Sequence, residues 1–134
     1  MVQERKRNYF GVIAVVFCCC LASCSTSKVP GERGYTEAGK ASFYSNKFEG
    51  KKMANGEPYR RFKKTAAHRT LPFGTKVKVT NTNNHKSVKV KITDRGPHVK
   101  GRVVDLSYSA AKELDMIKAG VAPVELKVLK PVKK

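Results

Sequence analysis

The chain has 134 residues, with 28 Lys and Arg against 10 Asp and Glu, a formal charge of +18. That length holds one compact domain with appendages and excludes two full domains. Apolar residues make up 40% of the chain, too many for a disordered polyelectrolyte, so the charge belongs to a folded protein with an acidic partner: nucleic acid, an anionic membrane or an acidic polymer.

The first residues set the address. Arg5-Lys6-Arg7 precedes the apolar run Tyr9–Phe17, the layout of a secretory signal. The run is shorter than the ~20 apolar residues of a spanning helix. It ends in Cys18-Cys19-Cys20 and then Leu21-Ala22-Ser23-Cys24, a motif that resembles the bacterial lipobox. That resemblance implies cleavage before Cys24 and a diacylglycerol thioether on its sulfur, with palmitate-type acyl chains. The cysteine pattern agrees: three of the 4 cysteines would leave with the leader, and lipidation explains the single remaining thiol of an exported protein. Adjacent cysteines also lack the spacing of zinc ligand pairs. Cleavage removes Arg5, Lys6, Arg7 and Glu4, lowering the charge of +18 by two. Export separates the protein from nucleic acid, leaving wall and membrane as expected partners. Ser25, in place of the Asp associated with inner-membrane retention, is compatible with an outer membrane.

Residues 1–23 are therefore read as a leader and 24–38 as a lipidated flexible tether, polar and containing Pro30, Gly31 and Gly34. Residues 39–129 are read as the domain and 130–134 as a basic tail. Within the domain, period-two alternation dominates. Ala41 and Phe43 start a strand. Val77 and Val79 alternate with lysines, as do Val88, Val90 and Ile92 after the turn residues Asn81–His85, so these two form a hairpin. Val103–Leu106 is a short buried strand. Ser107-Tyr108-Ser109 supplies cap candidates for a helix over Ala110–Met116. Val124, Leu126 and Val128 form a last strand. Many short strands with one helix indicate a small β-barrel. Lysines on the outer faces serve as solvated surface and edge protection.

Three runs have compositions that packing does not require: Met53-Ala54-Asn55-Gly56-Glu57, Thr65–Thr75 around His68, and Thr93-Asp94-Arg95-Gly96-Pro97. With Gly39–Tyr44 and Asp105-Leu106-Ser107, in this order, they resemble rare lipoprotein A, a family of bacterial envelope lipoproteins. The resemblance spans the whole domain. It implies a mainly β fold, a six-stranded double-psi β-barrel with one or two short helices. It also implies a lytic transglycosylase acting on peptidoglycan, with active-site positions at Glu57, His68 and Asp94. Such an enzyme cuts between N-acetylmuramic acid and N-acetylglucosamine without water and leaves a 1,6-anhydromuramyl end. One carboxyl group suffices as acid and then base.

Asp94, at a strand end before a Gly-Pro turn, is the first choice for that acid. Arg95, its neighbour, points to the opposite face if the strand continues. If it pairs with Asp94 instead, Glu57 becomes the better acid and Asp94 a stabiliser. His68 is read as tuning a carboxyl group or binding a sugar hydroxyl. Tyr44, Asn55, Arg95 and His98 are candidate substrate contacts. His98 replaces the aromatic residue common in the family. Asp105 is read as a structural residue that caps the helix. His68, His98 and Asp94 lack recognised metal spacing, so no metal or cofactor is expected. A monomer is expected. Many family members carry a C-terminal glycan-binding repeat that is not found before Lys134. Two other readings stay open: a non-catalytic glycan-binding or wall-loosening module, and a lipoprotein linking membrane and wall by charge.

Overall fold

The computed structural model describes residues 27–133. The leader and Cys24 lie outside the described residues. Six strands close a barrel: β1 (Thr36–Phe43), β2 (Thr65–Ala67), β3 (Lys76–Asn81), β4 (Ser87–Asp94), β5 (Arg102–Leu106) and β6 (Ala122–Lys130). Around the barrel the order is β1-β5-β2-β4-β3-β6. Two pairings, β1–β5 and β2–β4, are parallel; the rest are antiparallel.

The alternation read in the sequence is the alternation of the barrel wall. Val77 and Val79 of β3, Val90 and Ile92 of β4, and Val124 and Leu126 of β6 are buried, while the residues between them are mostly exposed. Burying a side chain of this size stabilises the fold by about 1.5–3 kcal/mol, and closure leaves no sheet edge unpaired. The β3–β4 turn is fastened from within. Asn81 donates through Nδ2 to the carbonyl of Leu114, and Asn84 does the same. The helix α1 spans Tyr108–Glu113, with Ser107 as its N-cap accepting from the Ala110 amide. It is shorter than Ala110–Met116 at its far end because Asp115 has φ 53°, a left-handed conformation that ends the helix. Asp105 is not the cap; Ser107 holds that position.

Two other features differ from the sequence reading. Strand β1 begins at Thr36, ahead of the expected boundary at Gly39, because Thr36–Ala38 pair with Lys127–Glu125 of β6. From Val29 onward the expected tether is part of the folded body. It turns on itself, Glu32 and Tyr35 donating to Val29 and Glu32 carbonyls, and Gly34 donates to the Val128 carbonyl. Strand β2 carries Thr65, Ala66 and Ala67, all buried, and therefore shows no alternation to read. Among the described residues, no helix is long and apolar enough to cross a membrane.

Candidate functional site

Two parallel pairings and one antiparallel pairing bring four strands into one row. Ser42 of β1 faces Asp105 of β5, Asp105 faces Ala67 of β2, and Ala67 faces Asp94 of β4. Ala67, between the two aspartates, is buried. Tyr44, two residues past Ser42, emerges on the same side. Its hydroxyl donates to Oδ2 of Asp94 at 2.5 Å.

Asp94 is held by more than Tyr44. Its Oδ1 accepts from the backbone amides of Ala54 and Arg95, each at 2.8 Å. The loop that supplies Ala54 is itself tied to the end of β4: the Asn55 amide donates to the Thr93 carbonyl, and the Thr93 hydroxyl donates to the Met53 sulfur. The carboxyl group is thereby fixed at the rim. Gly96, with φ +124°, lets the chain turn away directly behind it.

Arg95 does not pair with the Asp94 carboxylate. Its Nη1 donates to the carbonyls of Leu71 (2.8 Å) and His68 (3.2 Å), and its guanidinium lies 3.9 Å from the centre of the Phe73 ring. Its contacts thus tie the 68–73 loop to β4 instead of reaching toward a ligand beside Asp94.

His68 is buried at 3% exposure. Its Nδ1 accepts from the amides of Thr70 and Leu71, each at 3.1 Å, which leaves Nε2 to donate to the Glu37 carboxylate at 2.8 Å. Accepting at Nδ1 requires the tautomer protonated at Nε2. Both ring nitrogens are therefore engaged away from Asp94. The backbone of His68 still meets the site, its amide donating to the Asp94 carbonyl.

Glu57 is exposed. It sits on the turn made by Gly56 (φ +88°), and its amide donates to Oδ1 of Asn55 at 3.0 Å. Among the described residues its carboxylate makes no hydrogen bond or ion pair. The Asn55 Nδ2 group is likewise without a partner there. His98 is exposed on the loop after Pro97, near Gly96.

Tyr44 is half-buried, its ring 4.8 Å from that of Tyr59 and edge-on to Phe48 at 5.5 Å. Burial pushes its phenol well above the ordinary tyrosine range, reinforced by the hydrogen bond to Asp94 and by the charges of Asp94 and Asp105. Tyr44 is thus a protonated hydrogen-bonding partner throughout the physiological range.

Sequence reasoning missed three contributors. Glu37 orients His68. Arg69 pins the loop after Asp94, donating to the carbonyls of Pro97 (2.7 Å), Val99 (3.1 Å) and Arg102 (2.9 Å). Asp105, read as a cap, instead accepts from the Ser42 hydroxyl at 2.6 Å and pairs with Arg102 at 3.2 Å. Strand β5 reads in the sequence only as a short buried strand, and the register that sets Asp105 beside Ser42 and Ala67 is a tertiary property. Among the described residues no cluster of three His, Cys, Asp or Glu side chains could hold a metal ion.

The chain resembles known proteins at these elements. A family model described as "Lytic transglycolase" matches residues 36–126. Relatives named endolytic peptidoglycan transglycosylase RlpA include one from Vibrio cholerae, 48% identical over 78% of this chain and 41% of its own length. Another, from Campylobacter jejuni, is 52% identical over 72% of this chain and 35% of its own length. The chain thus spans about two fifths of the length of the curated relatives it matches. Among solved structures, the Streptomyces papain inhibitor superposes with a TM-score of 0.60 at 23% identity, covering 73% of this chain and 97% of its own. An expansin from Clavibacter michiganensis superposes with a TM-score of 0.57 at 23% identity, covering 74% and 52%. Those two likenesses show the double-psi barrel fold.

Proposed function

The chain belongs to the lytic transglycolase family, and we propose that it cleaves peptidoglycan glycan strands as a lytic transglycosylase in wall remodelling. The observation that carries this reading is the Asp94 carboxyl group. It is fixed at the barrel rim by Tyr44 and two backbone amides, with the Arg95 guanidinium turned away.

In the proposed reaction, Asp94 gives its proton to the glycosidic oxygen of the departing N-acetylglucosamine. The muramyl C1–O bond breaks, the muramyl 6-hydroxyl oxygen bonds to C1, and the proton of that hydroxyl returns to Asp94. No water is consumed. Tyr44 suits this cycle because a phenol hydroxyl both donates and accepts. It donates to the Asp94 carboxylate and can rotate to accept when Oδ2 carries the proton.

The unpartnered carboxylate of Glu57 is assigned to the positive charge that develops at C1. The free Nδ2 of Asn55 and the exposed His98 are assigned to sugar hydroxyls or acetamido groups, with Tyr44 at the floor. His68 and Arg95 are given positioning roles: one sets the loop through Glu37, Thr70 and Leu71, the other ties that loop to β4. Residues 1–23 act as the leader, and Cys24 carries the lipid that holds the domain at an envelope membrane. The domain acts as a monomer and needs no cofactor.

The test is digestion of purified glycan strands by the chain from residue 25, followed by mass analysis of the ends. Anhydromuramyl ends that vanish in Asp94→Asn are expected. Reducing ends would mean hydrolysis. Wall binding without products would overturn catalysis and leave a glycan-binding module.

A further inference from the structure

The outer face of the β6–β3–β4 wall carries lysines in register. Lys76 of β3 lies opposite Lys91 of β4 on one side and Lys130 of β6 on the other. Lys78 lies opposite Lys89 and Lys127 in the same way. Two rows of three lysines thus cover adjacent strands. All but the half-buried Lys91 are exposed, and among the described residues none forms an ion pair. Like charges directly opposite one another weaken a sheet, so this arrangement opposes folding unless a partner neutralises it. The adjoining carboxylates are Glu125, opposite Thr80 in the next row, and Glu113, paired with Lys64 at 2.7 Å. They leave the grid strongly positive.

Position indicates the partner. In the ring of strands, the grid's central strand β3 lies across the barrel from β5, so the grid faces away from the outer side of β5, while β4, which carries Lys89 and Lys91, runs on to Asp94 at its end. The N-terminal segment leaves the fold beside the grid: Gly34 and Tyr35 bond to Val128 of β6, and Lys28 and Arg33 share a hollow with Lys127. Cys24 is four residues before Lys28, a span of at most about 14 Å. A lipid on Cys24, as proposed above, would hold the edge of the grid near the head groups, close to the screening length at which surface charges act.

We infer that the lysine grid of β6, β3 and β4 docks on an anionic phospholipid surface and turns the β5 side of the barrel away from the membrane, toward the wall. The inference uses the proposed anchor for orientation, but lipid docking is measurable without it. Every described element and core residue lies beyond residue 27, so the unlipidated chain from residue 25 is the appropriate material.

The experiment is cosedimentation with vesicles of phosphatidylcholine alone or mixed with phosphatidylglycerol, with isolated wall sacculi in a parallel arm. The wild type is expected to bind the anionic vesicles at least tenfold better than the neutral ones, with binding lost at high salt. The variant K76Q/K78Q/K89Q/K91Q is expected to bind them about 100-fold more weakly without a lower Tm, since repulsion is removed. A charge-matched variant, K52Q/K100Q/K112Q/K118Q, is expected to lose no more than about threefold. Equal losses in both variants would reduce the effect to net charge and overturn the inference. Unchanged vesicle binding, or a loss confined to sacculi, would also overturn it. Glycan cleavage by the grid variant reads the transglycosylase proposal separately.

Discussion

The Tyr44 hydroxyl donates to Oδ2 of Asp94 across a sequence separation of 50 residues. It joins the residue that follows β1 to the end of β4, two strands that are not neighbours in the barrel. Nothing within either local segment specifies that contact. The closed barrel does, by aligning Ser42, Asp105, Ala67 and Asp94 in one row.

Tyr44→Phe is expected to retain the fold, because the ring keeps its packing on Tyr59 and Phe48. Cleavage of glycan strands should fall about 10–100-fold, the range for a lost hydrogen bond to a charged group worth ~1.5–3 kcal/mol. The release rate of anhydromuramyl ends checks this. Unaltered activity would remove Tyr44 from the mechanism.

The same contact has an alkaline signature. The folded phenol titrates above its unfolded value, which is about 10. The unfolded chain therefore loses the Tyr44 proton first as pH rises, and the folded state loses stability above that value. The stabilisation is complete below about pH 10 and declines by up to about 1.4 kcal/mol per pH unit beyond it. Denaturant unfolding at pH 9 and 11 should show a smaller drop in Tyr44→Phe than in the wild type. An equal drop in both would contradict the assignment.

His68→Ala should act on stability before chemistry. It removes the acceptor of the Thr70 and Leu71 amides and the donor to Glu37 in a nearly sealed position. Leaving those groups unsatisfied costs about 2–4 kcal/mol, a Tm decrease of about 10 °C or more for a domain this size. Glu37→Gln, which keeps an acceptor for Nε2–H, should cost less than half as much. Calorimetry decides. A His68→Ala protein with wild-type Tm and no activity would favour direct participation in the reaction.

Arg95→Lys should be nearly as damaging as Arg95→Met. A lysine ammonium cannot serve the Leu71 and His68 carbonyls while also stacking flat on Phe73. A loss of about 1.5–3 kcal/mol is expected for either. Because the guanidinium holds the loop and not the Asp94 carboxylate, the pH profile of cleavage should keep its midpoint. A shifted midpoint would indicate that Arg95 acts on the carboxyl group after all.

Strands β3, β4 and β6 were legible because each has one dry and one wet face, and period-two alternation records that directly. Strand β2 was not, since Thr65, Ala66 and Ala67 are all enclosed and a uniformly buried segment has no period. Strand parity left two placements open for Arg95, and because β4 ends at Asp94 it is the contacts with Leu71 and Phe73 that turn Arg95 from the Asp94 side chain. Parity said nothing about Glu37, whose meeting with His68 spans β1 and the loop after β2.

The sequence by itself determined the strongly basic charge, the alternating barrel strands, the turn chemistry around Asn55 and Gly96, and the three runs that stand apart from packing. These are local properties, written in neighbouring residues. The tertiary structure alone decided that Asp94 is gripped by Tyr44 and Ala54, that His68 answers to Glu37, and that six lysines align across β6, β3 and β4. Each of these depends on strand register and barrel closure, and register is set by which faces pack together rather than by any one segment.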